Sequence, residues 1–166
     1  MLRVGDVAPP FQAPSTLGRD VSLVEHRGRV VVLYFFRRAF TRNCTVETRG
    51  FRDNHAELRV LGADVIGVSP DDFPTQCAFA QSSEVSFPLI ADVDKAITSA
   101  YRVRFSLLPT IHRVTYVIDR EGVISGVFNH EFQVLKHLDE VLRFVRTSTA
   151  PPRPSPSSRA PSARPT

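Results

Sequence analysis

The 166-residue chain predicts an α/β fold, a single-domain sandwich in which helices flank a central mixed sheet, built from residues 1–146. Three observations predict it. Val30 to Phe36 is an unbroken apolar run rich in β-branched and aromatic residues, the composition of a strand covered on both faces. Strand-like and helix-like stretches then alternate, as in a sheet assembled from parallel crossovers. Two later strand-like runs, joined by Asp119-Arg120-Glu121-Gly122, add an antiparallel hairpin.

The elements follow in order. Residues 1–29 carry two or three short strands, with Leu17-Gly18-Arg19-Asp20 as a turn before Val21-Ser22-Leu23. After strand 30–36 comes a helix over 44–61. Thr41 or Asn43 offers its N-cap oxygen, Val46, Phe51, Leu58 and Leu61 mark its apolar side, and Gly62 ends it. Ala63 to Ser69 reads as a second parallel strand. Pro70 to Phe73 open a helix reaching about Ser82, with Pro74 in the first turn. Phe87 to Asp92 is a short strand, Lys95 to Tyr101 a short helix, and 103–111 irregular. Strands 114–118 and 123–128 precede an amphipathic helix over about 133–145. This order describes a thioredoxin-like core. From Thr147 onward only Pro, Ser, Ala, Arg and Thr occur. No core forms from that composition, so residues 147–166 are expected to be a disordered tail.

Composition excludes several functions. With 42% apolar and 23% charged residues the chain is ordinary for a globular protein, and no run approaches membrane-spanning length. No apolar signal core follows Met1-Leu2-Arg3, so the cytoplasm is the expected compartment. Three of the four net positive charges sit on Arg153, Arg159 and Arg164 in the tail, leaving the body near +1. That is a poor footprint for nucleic acid. Cys44 and Cys77 are too few for a disulfide framework and lack a zinc-type spacing, and neither a metal nor an organic cofactor is implied. In a reducing compartment two such cysteines point to catalysis or redox chemistry.

Cys44 is the candidate centre. It falls at the start of a helix, just past the end of a central strand, where open α/β sheets place their ligands. Free N–H groups and the helix dipole favour thiolate over thiol there. Arg37, Arg38, Thr41, Arg42 and Asn43 make the preceding loop polar and electropositive. The competing reading is a small buried hydrophobe, common for free cysteine.

The stretch FTRNCTVETRGFRD resembles the active-site loop and first helix of the peroxiredoxins, in their Q-type or bacterioferritin-comigratory-protein branch. GDVAPPF, GVSPDD, FPLIAD and RVTYVIDREGV follow in the order that branch uses, so the resemblance covers about residues 3–146. It implies a thioredoxin-dependent thiol peroxidase in which Cys44 is the peroxidatic cysteine, passing through a sulfenic acid. Thr41 matches the family threonine that hydrogen-bonds in the site, and Arg113 the arginine set against the thiolate. Taken alone, Thr41 would be a cap and Arg113 a solvated strand end. Glu47 matches the acidic residue of the CTxE pattern, and first-turn dipole complementation is an equally good reading.

Two positions depart from the pattern. Arg37 stands where the family usually has a proline shielding the sulfur, and Arg49 where many Q-type members carry a resolving cysteine. Cys77 is then the candidate resolving cysteine, against a one-cysteine enzyme reduced by an external thiol. At about 100° per residue Cys77 lies roughly 160° from Phe79, a core candidate, which favours exposure. His26, His55, His130 and His137 read as surface residues, and His112 as a neighbour of the site. Phe105, Leu107 and Leu108 suit an apolar entry for organic hydroperoxides, a dimer contact or plain packing. The expected partners are a peroxide substrate and a thioredoxin-like or small-thiol reductant, with no nucleic acid and no membrane, in a monomer or homodimer. Three other readings stand beside this one. A thioredoxin-like disulfide oxidoreductase is disfavoured because Glu47 occupies the place of a second CxxC cysteine. The others are a non-enzymatic redox sensor or binding module, and a nucleic-acid binder acting through the tail.

Overall fold

The computed structural model describes residues 1–149, with seven strands and four α-helices in the predicted order. A hairpin of β1 (Gln12–Pro14) and β2 (Asp20–Ser22) forms a second sheet, bridged through Ser15 and Ile90 to the edge of a five-stranded sheet ordered β5-β4-β3-β6-β7. These are β3 (Val30–Phe35), β4 (Ala63–Ser69), β5 (Leu89–Ala91), β6 (Val114–Ile118) and β7 (Ile124–Asn129). β3 is central: it pairs parallel with β4 and antiparallel with β6. The helices are α1 (Arg42–Val60), α2 (Phe73–Ser83), α3 (Ala96–Ala100) and α4 (Val134–Thr149). Among the described residues no helix is long and apolar enough to cross a membrane.

All six residues of β3 are buried, and its period-2 alternation divides them between two cores. Val30, Val32, Tyr34 and the following Phe36 enter a layer beneath α1, α2 and α4 with Cys44, Phe51 and Phe79. Val31, Leu33 and Phe35 enter the opposite layer with Tyr101 and Tyr116. Tyr34 anchors the first layer. Its ring centroid lies 4.7 Å from that of Phe51, and its hydroxyl pairs with Thr48 Oγ1 at 3.1 Å.

The pairing leaves no room above Gly67. A Cβ there would stand 2.6 Å from Leu89 Cδ2 and 2.8 Å from both Cε1 and Cζ of Tyr34. A ring held on both sides cannot step aside, so Gly67→Ala should lower stability by about 1–3 kcal/mol. Urea unfolding of the variant checks this; an unchanged midpoint would mean that the Tyr34 layer is loosely packed.

Three expectations shift. Val46 is exposed, and Cys44, Glu47, Thr48, Phe51 and Leu58 form the buried stripe of α1 instead. Thr41 takes the N-cap position, but its hydroxyl donates to the Arg38 carbonyl at 2.8 Å and caps nothing, while Asn43 lies inside the helix. α4 continues to Thr149, so the folded part passes the expected boundary at 146 by three residues. The remainder of the expected tail, 150–166, lies outside the described residues.

Candidate active site

The register of β3 and β6 accounts for the meeting of residues 69 apart in sequence. Phe35 pairs with Val114, so Arg113 arrives at the sheet end where β3 hands over to α1. Cys44 occupies the first turn of α1 and is buried, 1% exposed. Arg113 is also buried, and its Nη2 donates to Cys44 Sγ at 3.5 Å. Its Nη1 donates to Glu47 Oε2. One planar fork thus serves a sulfur and a carboxylate one helical turn apart.

Glu47 is fully buried, which overturns the alternative of a dipole-complementing surface glutamate. Burial pushes its carboxyl up to about 7, against the pull of Arg113. Its second oxygen, Oε1, has no hydrogen bond and lies 3.5 Å from His137 Nε2. His137, expected at the surface, is fully buried on α4, with Nε2 paired to Thr115 Oγ1 at 2.7 Å and Nδ1 without a partner. Burial first, then the charges of Arg113 and His130, push it down to about 4. Arg113 responds oppositely. Burial opposes its charge, but Glu47 and Cys44 outweigh this and raise its pKa.

The loop between β3 and α1 is held in a strained form. Phe40 takes φ +64°, a conformation costing a bulky residue about 1–3 kcal/mol. Two contacts hold it. Phe40 packs edge-on to Phe79 at 5.3 Å, and the neighbouring Ala39 N–H donates to Asp71 Oδ2 at 2.7 Å. Asp71 also accepts from Ser69 Oγ at 2.6 Å, which ties the cysteine loop to the end of β4.

Beyond the sulfur, a cleft of about 430 Å³ is lined by Arg37, Thr41, Arg42, Asn43, Cys44, Arg113, Glu131 and Phe132. Cys44, Arg113 and Glu47 are thus brought together, and Thr41 stands at the rim with its hydroxyl turned to Arg38. Cys77 is not joined to them: both cysteines are free thiols, and Cys77 is half-buried on α2 between the buried Gln76 and Phe79.

The chain is similar to known proteins in sequence and in fold. The family model described as AhpC/TSA family matches residues 4–127. The chain belongs to the AhpC/TSA family. Among AhpC/TSA relatives, the chloroplastic peroxiredoxin Q of Gentiana triflora is 36% identical over 145 residues, covering 87% of this chain and 67% of that protein. Peroxiredoxin Bcp of Escherichia coli K12 is 34% identical over 151 residues, covering 87% and 96%. The crystal structure of peroxidoxin BcpB from Mycobacterium tuberculosis superposes with a TM-score of 0.82 at 29% identity, over 89% of this chain and 98% of that one. The chain is a peroxiredoxin with the thioredoxin-like fold and a thiol-dependent peroxidase.

Three participants escaped the sequence reading: Glu131, His137 and the burial of Glu47. For two the signal was present. His137 falls on the stripe Val134, His137, Val141, Val145, and Glu47 on Cys44, Glu47, Phe51, Leu58, so helical spacing alone turns both inward.

Proposed function

We propose that Cys44 is the peroxidatic cysteine and that it reduces hydrogen peroxide and small organic hydroperoxides. The observation that carries this is the buried Arg113 guanidinium donating to Cys44 Sγ at 3.5 Å, at a helix start beneath an open cleft. The sulfur anion is the form that acts as a nucleophile, and a donor at that distance can hydrogen-bond it. Cys44 Sγ attacks one peroxide oxygen, an S–O bond forms and the O–O bond breaks. The sulfur is oxidised by two electrons to a sulfenic acid, and the other oxygen leaves as water or an alcohol after taking a proton. The Arg113 fork, next to the sulfur, is placed to stabilise charge on the departing oxygen. Thr41 offers a hydroxyl at the rim, provided it turns from the Arg38 carbonyl. Glu47 orients the fork from behind.

The sulfenic sulfur is then attacked by a second thiol, releasing water and forming a disulfide. Cys77 or an external thiol fills that role. A Cys44–Cys77 bond needs Cα atoms within about 7 Å. Local unwinding of α2 to bring Cys77 there would unseat Phe79 and Gln76, whose amide bonds Ser69 Oγ at 2.8 Å and the Ile90 carbonyl at 2.9 Å. The regenerating partner in this reading is a thioredoxin-like protein or a small thiol. The enzyme works in the cytoplasm as a monomer or homodimer, a compartment that suits two unpaired cysteines.

One equivalent of hydrogen peroxide, followed by alkylation and mass spectrometry of wild type and Cys77→Ser, tests the assignment. Rapid sulfenylation of Cys44 is expected in both proteins. A Cys44–Cys77 disulfide in wild type alone would make Cys77 the resolving cysteine. Oxidation of Cys44 no faster than that of a free thiol would remove it from the peroxidatic role.

A further inference from the structure

Pairing across β3, β6 and β7 aligns Phe35, Val114 and Asn129 in one row at the sheet end. Residues just beyond that row meet: Arg37 after β3, His112 and Arg113 before β6, Glu131 after β7. The Glu131 carboxylate is shared among them. Its Oε2 accepts from the Arg37 guanidinium and, at 3.4 Å, from the Arg113 backbone N–H. Its Oε1 pairs with His112 Nδ1 at 2.7 Å. The Arg37 guanidinium also lies 5.4 Å from the Phe105 ring centroid, and that ring stacks on His112. Arg37 is therefore held from two sides, and the hydrogen bond to Cys44 comes from Arg113 instead.

Magnitudes narrow what this pair does. Its side chains are 31% and 20% exposed, so solvent screens it and its contribution to stability is small. Its opposite charges cancel at contact distance, so it adds little net field to attract an anionic substrate. What remains is position. Arg37 and Glu131 belong to different loops, both line the cleft over Cys44, and their ion pair joins the two walls. Cys44 is 1% exposed, and the cleft that these two residues share is one that reaches it.

We propose that the Arg37–Glu131 pair is a size filter on the peroxide cleft, admitting hydrogen peroxide and slim primary hydroperoxides while holding back bulky tertiary aryl hydroperoxides. The proposal rests on the peroxidatic reading of Cys44. The test compares second-order rate constants for Cys44 oxidation by hydrogen peroxide and by cumene hydroperoxide, read by acid quench, alkylation and mass spectrometry. Wild type, Arg37→Ala, Glu131→Ala and the double variant are compared. The ratio of the hydrogen peroxide constant to the cumene hydroperoxide constant should fall about tenfold in either single variant, and no further in the double, because either change alone breaks the bar. A general loosening of the fold would slow both substrates and leave the ratio alone. Ratios within about twofold of wild type, or single effects that simply multiply in the double variant, overturn the filter. If an alanine variant does not fold, Arg37→Ser and Glu131→Ser take its place with the same expectations. Wild-type Cys44 reacting with neither peroxide faster than a free thiol would instead sink the peroxidatic reading, and the filter with it.

Discussion

Arg113→Met should slow oxidation of Cys44 by hydrogen peroxide about 10²–10³-fold, the loss typical of deleting one preorganised donor from a buried site. Methionine keeps the length and most of the packing but removes both prongs of the fork. Sγ loses its donor at 3.5 Å, and Glu47 loses the partner that draws its carboxyl down, so burial holds it as the neutral acid with neither oxygen bonded. Arg113→Lys separates the two contributions. Its ammonium retains the charge but cannot face sulfur and carboxylate at once, so a smaller loss, about tenfold, is expected. Stopped reactions quenched by acid and alkylated give both rate constants. An Arg113→Met rate within about threefold of wild type, in a folded protein, would mean that this fork contributes little to the transition state.

The second large effect concerns stability against pH, where Glu47 and His137 act in opposite directions. Glu47 titrates at about 7 in the fold against an ordinary 4.5, so the folded chain binds the extra proton between those values. Its contribution to stability is full below pH 4.5 and lost as pH rises to 7. His137 titrates at about 4 against an ordinary 6.5, so there the unfolded chain binds the extra proton. Its contribution is full above pH 6.5 and lost as pH falls to 4. Each shift corresponds to about 3 kcal/mol at its limit. In wild type the two slopes oppose each other between about pH 4.5 and 6.5 and largely cancel. His137→Phe should uncover the Glu47 slope, a protein that loses stability as pH rises through that window. Glu47→Gln should uncover the His137 slope, a protein that gains stability over it. Urea unfolding at several values between pH 4.5 and 7.5 reads both. Parallel profiles for the two variants would mean that the two groups do not titrate as a buried opposing pair.

Much of the fold was legible because its signals are local. β4 occupies Ala63–Ser69, the residues its composition marked, since a β-branched run between Gly62 and Pro70 leaves few alternatives. β3 ended one residue early, and α2 one late. The hairpin of β6 and β7 followed from its turn residues. The apolar side of α1 excludes Val46, because hydropathy without the helix phase does not say which face is buried. Cys44 at the start of that helix fixes the phase, and the phase carries Glu47 inward.

The sequence by itself determined the order of elements, the central strand, the cysteine at the start of the first long helix and the arginine before β6, because each is written in the properties of neighbouring residues. Tertiary structure alone decided which side chains share the buried space behind that cysteine. Antiparallel register brought Arg113 to residue 44, the packing of α4 brought His137 to Glu47, and the order of three strands brought Glu131 to Arg37. Those meetings depend on how distant segments are laid side by side. The energy of a buried charge is set by such neighbours, and residue types along a chain do not contain them.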